Sequence, residues 1–279
     1  MIRLTNLNFQ YKNAPGFALT DINLEIKEGD FVGIIGSSGA GKSTLTNVLN
    51  GVVPHYYGGD FYGRAEIAGL DTIEAGPARL SQIVGSVFQD IDGQMVASIV
   101  EDEILFGLEN FGVPREEVEG RLQSALDTLG ISALRHRPIA SLSGGQKQKV
   151  AIAAIVALKP RVLVLDEPTG ELDPRSSVAV FEMLRKLNEE FGMTIVIVEQ
   201  KIMLLCEFTR RLIVMDKGRV FLDGAVRDVM QNIESLTRAG VNAPRVASLA
   251  HELKARGLYN GVLPVNVPEA ERMVREVLA

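Results

Sequence analysis

The chain has 279 residues, 46% of them hydrophobic, no tryptophan and a formal net charge of -6. That length buries one large core or two modest ones, and the acidic balance argues against broad nucleic-acid binding, which needs a basic stripe. The start, MIRLTNLNFQYK, lacks an apolar stretch of signal-peptide length, so export is not expected, and the longest apolar stretch, Val150 to Leu158, falls far short of the ~20 residues that span a bilayer. The single cysteine, Cys206, cannot form an internal disulfide and reads as a small apolar residue in a reducing cytosol.

Leu4, Leu7 and Phe9, then Ile22, Leu24 and Ile26, follow strand periodicity and predict an antiparallel edge layer. FVGIIG, from Phe31, reads as a central strand, after which GSSGAGKSTLTNVLNG switches to helical spacing. IVGSVFQD, from Ile83, is a further strand candidate. From about Asp92 to Lys159 the pattern is mainly helical and carries many charges. RVLVLDEP returns to a buried strand, SSVAVFEMLRKLNEE predicts a helix, and TIVIV, from Thr194, is another apolar run. Such continuous runs suit strands covered on both faces, as in a parallel sheet. RLIVMDKGRVFLDG predicts a hairpin turning at Lys217-Gly218. The remainder alternates short helical patches with turns such as VNAPR. A βα-rich core interrupted by a helical insertion is the simplest parse.

GSSGAGKS, Gly36 to Ser43, fits G-x-x-x-x-G-K-[ST] directly after a strand and at the start of a helix. Glycines there let backbone N–H groups converge on phosphate oxygens, and the helix N-terminus adds its positive dipole end. Lys42 would reach the β- and γ-phosphates, and Ser43 would bind Mg²⁺. The pattern points to a nucleoside triphosphate without separating a kinase, a GTPase and an ATPase. At the end of VLVLDEP an apolar strand delivers Asp166 and Glu167 towards solvent. Asp166 would hold Mg²⁺ and Glu167 is the candidate base for an attacking water; the bland alternative is a pair of helix-capping acids before Pro168. In SLSGGQKQKVAIAAIVAL, Ser143 is a natural N-cap followed by two glycines, which a plain cap does not need because they cost helix stability. Exposed N–H groups beside Ser143 suit a γ-phosphate held by another subunit.

LSGGQ, Leu142 to Gln146, with the phosphate loop before it and VLVLDEPTGELDP after it, resembles the ATP-binding cassette ATPases over roughly residues 1–230. The resemblance implies an α/β fold: a P-loop nucleotide hydrolase core with an antiparallel β edge layer, a helical subdomain inserted at about 92–160, and a short C-terminal helical tail at 231–279. It implies ATP and Mg²⁺ as ligands, and two cassettes dimerising head to tail around two ATP molecules. Tyr11 would stack on adenine, although it also fits an ordinary edge-strand residue. Gly36, Ser37, Ser38, Gly39, Ala40, Gly41, Lys42, Ser43 and Thr44 would cradle the phosphates. Gln89, in VFQD, would sense Mg²⁺ and the attacking water, completing a Ser43, Gln89 and Asp166 metal set. Ser143, Gly144, Gly145 and Gln146 would touch the partner's ATP, and Asp173 lies in the loop that crosses between the two sites.

VFQDIDGQMVASIVEDEILFGLENFGV and NGVVPHYYGGDFYGRAEIAGLDT look like the cassettes of energy-coupling-factor importers, which take up vitamins and metal ions. That likeness implies a cytoplasmic, membrane-peripheral subunit. Its partners would be a second cassette, identical or different, a transmembrane coupling protein docking around Asp92 to Phe111, and a substrate-binding membrane component; nucleic acid is not among them. At Gln200 the family usually carries a histidine that contacts the γ-phosphate, and a glutamine amide donates a hydrogen bond without becoming a cation. Gln200 could instead cap the following helix. Rival readings are a soluble cassette ATPase of the DNA-repair class, disfavoured by the lack of sustained heptads, and a catalytically weak structural cassette beside an active partner.

Overall fold

The computed structural model describes residues 1–278. Its strands are β1 (Ile2–Tyr11), β2 (Leu19–Ile26), β3 (Phe31–Gly36), β4 (Gly59–Ile67), β5 (Leu70–Asp71), β6 (Val84–Val87), β7 (Val162–Asp166), β8 (Thr194–Val198), β9 (Arg211–Asp216) and β10 (Arg219–Ala225). Helices α1 (Lys42–Leu49), α2 (Val52–His55) and α3 (Thr72–Leu80) precede β6. Between β6 and β7 lie α4 (Ile91–Gln94), α5 (Val100–Asn110), α6 (Arg115–Thr128) and α7 (Gly144–Val156). Next come α8 (Pro174–Phe191), α9 (Ile202–Phe208), and after β10 α10 (Val226–Met230), α11 (Ile233–Arg238), α12 (Arg245–Ala255) and α13 (Val267–Leu278).

A six-stranded sheet in the order β10-β9-β3-β8-β7-β6 stands beside a four-stranded layer ordered β2-β1-β4-β5. The apolar runs are explained by what each face of the larger sheet covers. Along β8, Ile195 and Ile197 point into a core shared with Leu126 of α6, Val150 of α7 and Phe181 of α8. Val196 and Val198 point into the opposite core, built with Leu45 of α1 and with Phe9 and Ile22 of the antiparallel layer. β7 divides in the same way, Leu163 and Leu165 against Val162 and Val164. A central strand with both faces buried leaves no polar phase in its sequence.

The antiparallel layer is as expected, with one refinement. Leu4 pairs with Leu24 and Leu7 with Ile22, and the register shifts between Leu4 and Leu7, where Asn6 takes a φ of 47°. This bulge returns Leu7 to the buried face despite its odd spacing. β4 was not anticipated: GDFYGRAEI has glycines and mostly exposed residues, and only Ala65 and Ile67 of it are buried. The predicted β9–β10 hairpin turns at Lys217 and Gly218, whose φ values of 46° and 76° suit a right-twisted two-residue turn. In the tail, Leu236, Ala239, Val241 and Val265 join the core of α6–α8, while Ala247, Ala250, Tyr259, Leu263 and Met273 form a small separate cluster. Cys206 is half-buried against the core, and burial pushes its thiol pKa up to about 12, so it stays an unreactive thiol.

The order β3-β8-β7 decides where the site lies. Ile34 of β3 pairs with Val198 of β8, which pairs with Asp166 of β7. Three loops that are remote in sequence therefore leave the sheet side by side at its carboxyl edge, the usual place for a ligand in open α/β sheets.

Candidate functional site

Gly36 to Thr44 wraps from β3 into α1. Gly41 is the N-cap of α1 at φ 97°, with no side-chain cap bond, and a Cβ there would lie 2.7 Å from the Ala18 carbonyl oxygen. Only glycine fits this position, and the first-turn N–H groups stay available for an anion. Lys42 is 8% exposed, and its Nζ donates to the carbonyls of Gly36 and Ser37, both at 2.9 Å. The ammonium is thus held over the loop rather than extended into solvent. Tyr11, at the end of β1, donates its hydroxyl to Thr44 Oγ1 at 3.0 Å. Its ring stands edge-on to Phe9 at 4.8 Å and to Tyr57 at 6.3 Å between centroids. The sheet order places β1 between β2 and β4, with Tyr11 paired to Gly59, so Tyr11 is an interior-strand residue rather than an edge one, and it forms an aromatic wall beside the phosphate loop.

Asp166 ends β7. Burial pushes its carboxyl above the ordinary value, the Ser43 hydroxyl pulls it down, and the Glu167 charge raises it again. Thr46 Oγ1 approaches Asp166 Oδ2 at 3.4 Å. A partly desolvated carboxylate next to a hydroxyl is a hard-oxygen donor set suited to Mg²⁺, which takes one or two carboxylates plus phosphate oxygens. Among the described residues no group of three or more His, Cys, Asp or Glu side chains could cage a metal unaided. The donors thus fit a cation that arrives with phosphate. Glu167 has a φ of 50°, a left-handed conformation that non-glycine residues hold only where the surroundings impose it. Its N–H bonds Val198 O at 2.9 Å.

The end of β8 faces that carboxylate. Gln200 Nε2 donates to both Glu167 oxygens, each at 2.8 Å. Gln200 is not a helix cap: the residue at the start of α9 is Lys201, with no side-chain cap bond. Glu199, 1% exposed, turns inward and accepts from Thr169 Oγ1 at 2.6 Å. At the sequence level Glu199 is noticeable as the acid ending an apolar strand but has no assigned role, and Lys201 and Thr169 carry no signal of their own. An acid ending a fully apolar strand was the available signal, since a buried charge must find partners.

Gln89, Gly144, Glu167 and Gln200 line one open cleft of about 660 Å³. No residue of 36–44 lines it; the loop shares a second cavity, about 250 Å³, in which Lys42 and Gln200 meet. Within one chain, LSGGQ and the phosphate loop therefore do not face each other across a single cavity. Gln94 holds the segment bearing Gln89, accepting from Phe88 N at 2.9 Å and donating to Ser86 O at 3.1 Å. Ser143 and Gln146 form a reciprocal capping box on α7, the S-x-x-Q signature. Gly145 also has an internal reason to be glycine, because a Cβ would lie 3.0 Å from Ser176. Asp173 caps α8, accepting from the N–H groups of Arg175 and Ser176, with Pro174 at the first helical position. Its bonds with Ser176 hold its carboxyl below the usual range.

The ABC transporter family model matches residues 19–170. The energy-coupling factor transporter ATP-binding protein EcfA1 of Caldanaerobacter subterraneus subsp. tengcongensis is 39% identical over 278 residues, covering 98% of this chain and 97% of that protein. Among solved structures, cbiO1 from Clostridium perfringens, part of the ABC transporter complex cbiONQ, superposes with a TM-score of 0.77 at 33% identity, over 90% of this chain and 98% of that one. The ATP-binding cassette MJ0796, dimeric in a post-hydrolysis state with ADP and Pi, gives 0.70 at 30% identity, over 81% and 99%. The chain belongs to the ATP-binding proteins of ABC transporters and has their P-loop α/β fold. No helix among the described residues is long and apolar enough to cross a membrane.

Proposed function

We propose that the chain is the ATP-hydrolysing subunit of a membrane importer of the energy-coupling-factor type. The observation that carries the catalytic part is the convergence of Lys42, Asp166, Glu167 and Gln200 on three adjacent strand ends. The backbone of Gly36 to Thr44 and the Lys42 ammonium bind the phosphates of ATP, and Tyr11 offers its ring to the adenine. Ser43, Asp166 and Gln89 would hold Mg²⁺, which when bound neutralises charge on the phosphates. Glu167 accepts a proton from the water that attacks the γ-phosphorus, releasing ADP and phosphate. Gln200 orients that carboxylate and donates to a phosphate oxygen. Ser143, Gly144, Gly145 and Gln146 serve the nucleotide of a second cassette, whose approach closes the site, with Asp173 in the crossing loop.

The importer part rests on the resemblance to EcfA1 and cbiO1 and on an exposed apolar surface. Val96 and Phe106 are 64% and 47% exposed, and Ile99 and Phe111 of the same segment are exposed as well. They make a docking face for a transmembrane coupling protein at the cytoplasmic side of the membrane, with a substrate-binding membrane component as the further partner. The deciding experiment is hydrolysis by Glu167→Gln. The rate is expected to fall by roughly 10²- to 10⁴-fold, the range for a lost general base, with ATP retained; an unchanged rate would remove Glu167 from the role.

A further inference from the structure

The loop from β7 to α8 carries Glu167 at one end and Asp173 at the other, and the residues flanking Gln200 hold it. Glu199 Oε2 accepts from Thr169 Oγ1 at 2.6 Å and from Thr169 N at 3.3 Å. Its Oε1 accepts from the N–H groups of Gln200 at 2.8 Å and Lys201 at 3.3 Å. Lys201 reaches back to the same loop: Nζ donates to Thr169 O at 2.6 Å, Leu172 O at 2.9 Å and Ser177 Oγ at 2.8 Å. An ammonium has three donors, and all three are spent on this loop and the first turn of α8. Thr169 is wholly buried. A buried carboxylate, 1% exposed, beside a half-buried ammonium whose donors are all engaged is a costly way to anchor a loop that apolar packing could hold. What they add is geometric specificity, because charge-assisted bonds are short and fix the relative placement of their partners.

We propose that Lys201 and Glu199 are positioning residues that couple the Gln200 strand end to the loop Pro168–Asp173. A phosphate bound beside Lys42 meets Gln200, which lines the same cavity, and the adjustment at 199–201 is carried to Glu167 and to Asp173. The state of one nucleotide site then sets the loop that crosses to the other. This rests on the reading of the chain as an ATP-dependent cassette.

Hydrogen exchange on the full chain tests it, with and without Mg²⁺ and a non-hydrolysable ATP analogue, in the wild type, Lys201→Met and Lys201→Arg. In the wild type the analogue is expected to slow exchange roughly tenfold or more over both 36–44 and 168–173. Lys201→Met should keep the protection at 36–44 and lose it at 168–173, and Lys201→Arg should restore at least part of it. Protection at 36–44 without any change at 168–173 in the wild type overturns the coupling and leaves nucleotide binding standing. No protection at either segment overturns the nucleotide reading and the coupling with it. If Lys201→Met raises exchange at 168–173 equally with and without the analogue, Lys201 only supports the fold and the proposal fails.

Discussion

Gln200 donates its amide to the Glu167 carboxylate, at the position where the family resemblance implies a histidine. A neutral donor replaces one that can carry charge, a difference of about 1–2 kcal/mol between such bonds. Acting only in the transition state, that amounts to roughly five- to thirtyfold in rate. Slow hydrolysis is therefore expected, faster in Gln200→His and slower in Gln200→Ala, with ATP affinity hardly moved because Lys42 and its loop dominate binding. Single-turnover hydrolysis on the three proteins checks this; equal rates would reduce Gln200 to a structural contact. Asp166 gives a second test. Its folded pKa lies above its unfolded value, chiefly through burial, so its favourable contribution is complete below the unfolded value and is lost as pH rises through the folded one. Above that window the ionised carboxylate opposes folding. Asp166→Asn should raise the Tm of nucleotide-free protein at pH 7 by a few °C, about 1 kcal/mol being worth roughly 2–4 °C in chains of this size, and the gain should shrink towards acid. Thermal unfolding across pH decides it, and a lower Tm at pH 7 would contradict the sign.

At the scale of elements, α5 separates its acids by task. Glu103, 7% exposed, accepts from the N–H groups of Val96 and Ala97 at 2.9 and 2.7 Å, fixing the loop before the helix. Glu101 bonds Arg135 and His136, each at 2.7 Å, and the Arg135 guanidinium holds its carboxyl below the usual range. Reversing Glu101 would therefore disturb this connection as well as any surface. Asp102, Phe106 and Glu109 are exposed and recur at helical spacing on one face. Asp102→Arg with Phe106→Ala should weaken recovery of the membrane partner in a pull-down while sparing nucleotide affinity; full recovery would count against this docking face. Glu103→Ala should cost roughly 1–3 kcal/mol, since it strands two N–H donors, and denaturant unfolding measures it.

At the scale of the molecule, one chain holds a phosphate loop and an LSGGQ helix that do not share a cavity. On the function proposed above a second cassette completes the site, and association should depend on ATP. Glu167→Gln, with nucleotide trapped, should sediment as a dimer with Mg-ATP and as a monomer without it. Sedimentation unaffected by ATP would separate the nucleotide site from assembly. The larger sheet lies between the two cores and keeps the loops on its carboxyl edge at fixed spacing.

Local chemistry in the sequence determined the phosphate loop, the buried strands, the hairpin at Lys217-Gly218 and the acids at Asp166 and Glu167. Each is written in contiguous residues whose conformational or solvation needs are short-ranged. Even the capping box of Ser143 and Gln146 and the Asp173-Pro174 helix start are legible three residues at a time. β4 escaped because its pairing, rather than its composition, makes it a strand. The contact of Gln200 with Glu167, the inward turn of Glu199 and the three bonds of Lys201 join residues about thirty positions apart. Only the order β3-β8-β7 in the sheet brings them together. Partners of buried charges are chosen by which strands become neighbours, and that is decided by the whole core, not by the segment that carries the charge.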